Sequence, residues 1–343
     1  MKLFQKPIIA ITIGDVSGIG PEIALKAWLK REVHMCCRPL MIGDSQILNQ
    51  LINRFQLPLQ LNVIGRVSEA LFLPGRVDVI DLNNIDMSKF RFGHGNAMTG
   101  KAMLEYTEHA VSLALIKEVH AVVGGPHTKA SAEKAGVPFE GYPKFIAQLT
   151  GTNEEEAFLM LVSGSFRVVN TTLHVPLRKA LEQLKRPLIE KAIQAAYSAG
   201  RKLGLKNPRI AVAGLNPHAG EGGLYGREER EEIAPAVQNA KQAGIQVEGP
   251  FASDLLFAQL GQHDIYIAMY HDQAHIPMKM KALKNISAMT IGTPVLFASV
   301  GHGSAPDIAG KGVADPSGLI QTIRLLSSLD EVEGLNKIEK KGV

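Results

Sequence analysis

Short apolar runs alternate along the chain with longer segments of helical periodicity. The apolar runs predict strands at Ile8–Ile13, Leu40–Ile42, Val77–Leu82, Ala121–Val123, Phe158–Val162, Arg167–Thr171, Ile210–Ala213, Ile265–Met269, Met289–Ile291 and Leu296–Val300. The periodic segments predict helices over about 97–117, 187–203, 229–243 and 316–328, and a further helix that starts at Pro21 and Glu22. Strands that alternate with helices are typical of a parallel sheet with crossover helices.

The length of 343 residues is too great for one small core and suits two lobes of ordinary size. No low-complexity linker separates two such lobes in the sequence. We therefore expect the chain to cross between lobes more than once, with the working site in the cleft between them.

Composition and charge exclude several classes of protein. Hydrophobic residues make up 45% and charged residues 20%, which is typical of a folded globular protein. A net charge of +4 is small for this length, so nucleic acid is a poor candidate partner, although a slight positive excess suits an anionic substrate. The two cysteines, Cys36 and Cys37, are adjacent and are expected to be reduced thiols.

The sequence also bears on export and membrane association. The N-terminal residues lack the apolar run and the small-residue cleavage site of a signal peptide. No apolar stretch reaches the roughly 18 residues that cross a bilayer. The expectation is a cytoplasmic protein without a membrane partner.

Two glycine-rich segments follow predicted strands. Gly14–Pro21 does not have the spacing of the dinucleotide fingerprint, and both a structural turn and an active-site rim remain open for it. Gly301–Gly312 is more specific, because its small residues allow close backbone approach to a ligand and its polar residues supply hydrogen bonds. We predict a cofactor loop there, with contacts from His302, Gly303, Ser304, Ala305, Asp307, Gly310 and Gly312.

Three histidines lie at or just beyond predicted strand ends: His174, His218 and His271. The carboxyl ends of parallel strands are where α/β sheets bind ligands, and three imidazoles suit a catalytic divalent metal. Each histidine taken alone also fits an ordinary hydrogen-bonded loop residue. Asp254, Asp272 and Lys279 are further candidates, with surface ion pairs as the alternative, whereas His127 and His275 stay unassigned.

The chain resembles the 4-hydroxythreonine-4-phosphate dehydrogenases over nearly its full length, through Gly14–Glu22, Leu215–Gly222, Met269–Gln273 and the loop from His302. That loop is also similar to the NAD loop of isopropylmalate dehydrogenases. The resemblance implies an α/β, isocitrate/isopropylmalate-dehydrogenase-like fold with two lobes and mostly parallel sheets. Residues 1–128 and 296–343 would form the lobe with the NAD loop, and residues 129–295 the lobe with the metal, substrate and dimer contacts.

The resemblance also implies partners and roles. The protein would be a homodimer with a shared active site, and NAD would be its cofactor, with NADP as an alternative. His174, His218 and His271 would hold one divalent metal, zinc or magnesium, with His271 supplied by the partner subunit. Lys279 would bind substrate, and Asp254 and Asp272 would lie in the same pocket, which makes all three candidate catalytic residues.

Departures from the family pattern affect the substrate. Gly141–Lys144 replaces a Gly-His-Thr-Glu motif, and Ala288 and Phe297 replace an asparagine and an arginine that bind substrate. A phenylalanine cannot supply the planar donors that suit phosphate or carboxylate. This variant pattern, together with Phe158–Val162 and Ser299–Ala305, is similar to terephthalate cis-dihydrodiol dehydrogenases. Tyr142, Pro143, Phe297 and Lys279 are therefore predicted to contact substrate.

These features together predict an NAD- and metal-dependent, decarboxylating dehydrogenase of a carboxylated cis-dihydrodiol or a related hydroxy acid. Hydride would leave the alcohol carbon for NAD, and Lys279 or a water linked to an aspartate would move the proton. One alternative is a dehydrogenase of 4-phosphohydroxy-L-threonine or D-threonate 4-phosphate. Another is a non-catalytic relative that only binds a ligand.

Overall fold

The computed structural model describes residues 6–282 and 285–328, which fall into two compact units. Unit 1 contains the described residues up to Thr150 and from Pro294 onward, and unit 2 is Gly151–Thr293. The sequence placed the first boundary at 128, but the two helices that follow pack on the long helix before it and so belong to unit 1. Residues 1–5 and 329–343 of the predicted first lobe lie outside the described residues.

The strands, numbered in chain order, are β1 Ile8–Thr12, β2 Arg38–Gly43, β3 Gln60–Ile64, β4 Arg76–Asp81, β5 Ala121–Gly124, β6 Phe158–Ser163, β7 Phe166–Asn170, β8 Ile210–Ala213, β9 Val247–Phe251, β10 Ile265–Ala268, β11 Ser287–Ile291 and β12 Phe297–Val300. The helices are α1 Gly20–Trp28, α2 Arg31–Cys36, α3 Ser45–Arg54, α4 Ala97–Leu115, α5 Lys129–Lys134, α6 Tyr142–Thr150, α7 Leu177–Gln183, α8 Arg186–Lys202, α9 Ala234–Gln242, α10 Ser253–Ala258, α11 His271–Lys281 and α12 Ser317–Ser327.

Strand direction is mostly parallel in both units. In unit 1 the order is β3-β4-β2-β1-β5-β12, and every pair is parallel. In unit 2 the order is β11-β6-β7-β10-β8-β9, with antiparallel pairing at β11-β6 and β6-β7 and parallel pairing beyond. The predicted α/β class with mostly parallel sheets is confirmed.

Local sequence explains where these elements start. β1 reads as a continuous buried run, as expected of a strand that is covered on both faces. Asp44 caps α3, because its side chain accepts hydrogen bonds from the backbone N–H groups of Gln46 and Ile47. Asn96 and Thr99 form a reciprocal capping box at the start of α4.

The core of unit 1 contains the two aromatic residues that the sequence assigned to substrate. The rings of Tyr142 and Phe297 lie 4.7 Å apart, and the two residues are 3% and 0% exposed. The Tyr142 hydroxyl donates to the Gly125 carbonyl at 2.9 Å, and burial raises the pKa of that hydroxyl. A Cβ atom at Gly124 would lie 2.6 Å from the Phe297 ring, so glycine leaves room for this packing.

The structure also describes the two cysteines and the lengths of the helices. Cys36 and Cys37 are free thiols in this structure. Among residues 6–282 and 285–328, no helix combines the length and the apolar character needed to cross a bilayer.

Replacing Phe297 with alanine should lower the free energy of unfolding by about 3–5 kcal/mol, because it leaves a cavity in a close-packed core. Leu73→Ala is the matched control, since Leu73 is 53% exposed and its loss should cost less than about 0.5 kcal/mol. Urea denaturation followed by circular dichroism measures both. Equal, small losses in the two variants would show that Phe297 is not a core residue.

Candidate active site

Four adjacent strands of unit 2 bring the predicted catalytic residues to one edge of its sheet. β7, β10, β8 and β9 are parallel neighbours, so their carboxyl ends lie on the same side. His174 follows β7, His218 follows β8, Asp254 follows β9 and His271 follows β10. The fold therefore places the starting points of all four segments at one edge, although the residues are far apart in sequence.

A cavity of about 410 Å³ opens at this edge, beside β7 and β10. It is lined by Thr172, Leu173, His174, Val175, Pro176, Leu177, Ala180, Tyr270, His271 and Asp272. The ring centroids of His174 and His271 are 5.6 Å apart. Three of the predicted site residues, two imidazoles and a carboxylate, thus share one cavity.

Asp272 orients the imidazole of His271. The Nδ1 atom of His271 lies 2.6 Å from Oδ1 of Asp272, and a carboxylate acts only as acceptor, so the proton sits on Nδ1. In a neutral ring held this way, Nε2 is the nitrogen whose lone pair is available to a metal ion. An aspartate behind a histidine is a frequent second partner in metal sites.

His275, which the sequence left unassigned, stacks on His271. The two rings lie 3.7 Å apart with an interplanar angle of 15°, because four residues make about one turn of α11. Burial lowers the pKa of His275 to about 4, and the neighbouring His271 adds to the effect, so the ring is neutral at pH 7. Its Nε2 is buried and has no hydrogen-bond partner among the described residues. The spacing of four from His271 was the signal that could have identified it.

His218 lies in a turn of unusual backbone conformation. Six consecutive residues have left-handed φ values: His218 at 54°, Ala219 at 51°, Gly220 at 76°, Glu221 at 42°, Gly222 at 70° and Gly223 at 106°. Each non-glycine residue in this region costs about 1–2 kcal/mol. Such strain persists only where surrounding contacts impose it.

Glu229 supplies those contacts. Its carboxylate is 5% exposed and accepts hydrogen bonds from the backbone N–H groups of Leu215 and Asn216 at 2.7 and 2.6 Å, and from the Asn216 amide at 2.9 Å. A Cβ atom at Gly220 would lie 2.6 Å from Glu229 Oε2, so this position favours glycine. The turn presents His218 to solvent, with its ring 6.1 Å from that of Tyr225.

Gln273 connects three of the strand ends through one buried amide. Its Oε1 accepts from the Met269 N–H at 2.6 Å, and its Nε2 donates to the Gly214 carbonyl at 2.8 Å and to the Ser253 hydroxyl at 2.9 Å. Met269, Gly214 and Ser253 follow β10, β8 and β9, respectively. The sequence noted Gln273 only within a motif, because a local pattern does not show cross-links between distant segments.

The other predicted residues of unit 2 do not line the cavity. Asp254 and Lys279 are exposed, in the first turn of α10 and the last turn of α11. His218 is on the turn after β8. Within the part of one chain that the structure describes, no group of three or more His, Cys, Asp or Glu side chains is arranged to hold a metal ion.

The predicted cofactor loop lies in unit 1, after β12. His302, Gly303 and Asp307 are exposed, Ser304 and Gly310 are buried, and Ala305 and Gly312 are partly exposed. The loop contains left-handed residues at Ala305, with φ of 40°, and at Gly310 and Gly312. Nδ1 of His302 lies 3.0 Å from the carbonyl of Gly303, its own neighbour.

The predicted substrate residues of unit 1 are in a different environment from that expected. Tyr142, Pro143 and Phe297 are buried in the core, so none presents a side-chain surface for a ligand in this structure. Sequence comparison alone could not separate an aromatic residue that faces a ligand from one that fills a core.

The chain is similar to known proteins over most of its length. Residues 35–326 match the family of the pyridoxal phosphate biosynthetic protein PdxA. The chain is 40% identical to a D-threonate 4-phosphate dehydrogenase of Cupriavidus necator over 93% of its own length and 96% of that protein. A crystal structure of a 4-hydroxythreonine-4-phosphate dehydrogenase from Klebsiella pneumoniae matches with a TM-score of 0.86 and 35% identity, covering 95% of this chain and all 100% of that chain.

A terephthalate 1,2-cis-dihydrodiol dehydrogenase from Burkholderia xenovorans matches with a lower TM-score of 0.69 and 36% identity, covering 94% of this chain and 98% of that one. The interpretation as a decarboxylating dehydrogenase of a carboxylated cis-dihydrodiol is wrong, because the relative with 40% identity and the structure with a TM-score of 0.86 are named for phosphorylated hydroxy acids. It relied on Tyr142 and Phe297 as contacts for an aromatic ligand, and both are core residues.

The match covers most of the chain, and the relatives that share its length are dehydrogenases. The chain therefore belongs to the PdxA family of dehydrogenases.

Proposed function

We propose that this protein is an NAD-dependent dehydrogenase of a four-carbon hydroxy acid phosphorylated at C4. D-threonate 4-phosphate is the first candidate, and 4-phosphohydroxy-L-threonine is the second. The observation that carries the proposal is the 40% identity to a D-threonate 4-phosphate dehydrogenase over 93% of this chain. In the reaction, the alcohol carbon gives hydride to NAD, the alcohol oxygen loses its proton, and a keto acid is formed.

The side chains at the edge of unit 2 fit a divalent metal. The donors are imidazoles, His271 has the tautomer that a metal requires, and Asp272 supports it from behind. Neutral nitrogen donors favour zinc or a similar transition metal over magnesium, which prefers oxygen. When bound, the metal would polarise the alcohol oxygen of the substrate and the carbonyl that it becomes.

The chain's own residues have separable roles in this proposal. His174, His218 and His271 would hold the metal. Lys279 would bind the anionic substrate or move its proton, and Asp254 would lie in the same pocket. Asp272 would keep the His271 ring in the required tautomer and orientation. The exposed loop residues His302, Gly303 and Asp307 would contact NAD.

A second copy of the chain would complete the site. Large apolar residues are exposed close in sequence to the candidate ligands: Leu224 is 71% exposed, Leu255 60%, Ile276 56% and Met280 83%. Exposed apolar side chains beside the candidate ligands would suit a protein interface. From the resemblance to the family we infer a homodimer in which His271 joins His174 and His218 of the other subunit, and the described residues of one chain do not by themselves assemble three ligands.

The substrate assignment is tested by NADH absorbance at 340 nm with a panel of compounds. D-threonate 4-phosphate should give the highest kcat/KM, and D-threonate without phosphate should be about a hundredfold or more poorer, because a site built for a charged group is then left unpaired. Faster turnover of a terephthalate cis-dihydrodiol than of either phosphorylated acid would refute the proposal.

The metal assignment is tested by removing each histidine and the metal separately. His174→Ala, His218→Ala and His271→Ala should each lower zinc affinity and kcat by about a hundredfold or more, and Asp272→Asn should lower zinc affinity by about 10–100-fold. A chelator should inactivate the wild type, and zinc should restore it. His109→Ala, on α4 of unit 1, is the control. Full activity of His218→Ala in chelator would overturn the assignment.

The dimer is tested by placing a charge on the apolar surface. Met280→Glu should convert the dimer to monomer and lower zinc affinity with it, because a carboxylate cannot be buried unpaired in an interface. Met35→Glu is the matched control, since Met35 is 61% exposed but lies on α2 of unit 1. Light scattering after gel filtration gives the masses. A dimeric Met280→Glu variant with normal zinc affinity would contradict the inferred interface.

A further inference from the structure

The segment that begins with Gly14 contacts the predicted cofactor loop, which lies almost three hundred residues later. At the start of the loop, the Ile19 N–H donates to the Ser304 carbonyl at 2.8 Å. A Cβ atom at Gly18 would lie 2.5 Å from that carbonyl oxygen and 2.6 Å from the Ser304 Cβ. Glycine at position 18 therefore allows the two backbones to approach each other.

Ser304 is fixed from a second side as well. Its hydroxyl lies 2.6 Å from that of Thr128, and the residue is 6% exposed. Ser17 binds a third segment of the chain, which contains Gly93: the Ser17 carbonyl accepts a hydrogen bond from the Gly93 N–H at 2.7 Å. A Cβ atom at Gly93 would lie 2.9 Å from the Pro306 carbonyl oxygen, so the loop packs closely there too.

A partly buried ion pair holds the far end of the loop. Glu22, 1% exposed, accepts hydrogen bonds from the N–H groups of Gly312 at 3.1 Å and Ala314 at 2.8 Å. Lys26 lies 2.9 Å from Glu22 and donates to the carbonyls of Gly312 and Ala314 at 2.8 and 2.7 Å. Both charges are thus satisfied by the backbone of the loop and by each other.

The exposed residues of the loop lie between and before these contacts. His302, Gly303 and Asp307 are exposed, and Nδ1 of His302 lies 3.0 Å from the carbonyl of Gly303, its own neighbour. The loop is therefore held at Ser304 and at Gly312, while His302, Gly303 and Asp307 face solvent.

We propose that Gly18 and the Glu22–Lys26 pair are positioning residues for NAD, because they hold the cofactor loop in its binding conformation before the ligand arrives. The proposal rests on the function proposed above. It gives the Gly14–Glu22 motif a role that neither a dinucleotide fingerprint nor a plain turn supplies. A loop without these anchors would have to be ordered on binding, and that ordering weakens affinity.

Titration calorimetry with NAD⁺ on the full-length protein tests the ion pair. Lys26→Met keeps the length of the side chain but removes the donors, and it should raise the Kd for NAD⁺ about tenfold. The KM for NAD⁺ should rise in parallel, while kcat at saturating NAD⁺, the KM for the hydroxy acid and zinc affinity stay within about twofold. Lys26→Arg should recover most of the affinity. Lys101→Met is the control, because Lys101 forms an exposed ion pair with Glu105 at the same spacing of four.

Gly18→Ala tests the close approach between the backbones at Gly18 and Ser304, and it should also raise the Kd for NAD⁺. Gly65→Ala is the control and should leave the Kd unchanged, since the nearest atom to a Cβ at Gly65 is 3.8 Å away. If Lys26→Met does not fold, Lys26→Gln, which keeps an amide donor, takes its place. A wild type that does not bind NAD⁺ would overturn the proposed function. A wild type that binds, with unchanged Kd in the folded variants, would overturn the positioning role alone.

Discussion

Parallel hydrogen bonding between β7, β10, β8 and β9 is the constraint on which the candidate chemistry depends. A parallel strand delivers its carboxyl end to the same edge as its neighbours, whatever the distance in sequence. Residues 174, 218, 254 and 271 follow four such strands, and Gln273 then ties three of the strand ends together with a single amide. Reversing one of these strands would move the candidate residue that follows it to the opposite edge of the sheet.

Whether the sequence predicts a given strand or helix depends on how that element is buried and on which residues it contains. Apolar strands such as β1 and β8 can be predicted from the sequence, because both of their faces are buried. The sequence does not predict β3, because most of its side chains are at least partly exposed. It does not predict β9 either, because that strand contains Gly249 and Pro250. α11 was also missed, since its histidines and its internal Pro277 conceal the helical pattern. The stacking of His275 on His271 follows from that helix and was missed with it.

Burial in the structure distinguishes residues that fill the core from residues that face a ligand or solvent, which sequence patterns alone do not. Tyr142 and Phe297 replace polar family residues, and a substitution of this kind suggests a changed ligand, but the structure packs the two rings against each other. Glu229 and Glu22 show the opposite case. Glutamate is a residue type that usually lies at the surface, yet each of these two is buried and accepts hydrogen bonds from backbone N–H groups of a segment with candidate site residues.

The contact between Glu22 and Gly312 spans 290 residues and has a consequence for synthesis of the protein. A ribosome adds roughly 5–20 residues per second, so Glu22 and Lys26 emerge on the order of 15–60 s before the backbone groups of Gly312 and Ala314 that bind them. During that interval β5 also lacks β12, the strand that covers its edge. The nascent N-terminal part of unit 1 therefore carries an open sheet edge and an ion pair that still lacks its backbone hydrogen-bond partners, and a chaperone would have most to protect at this stage.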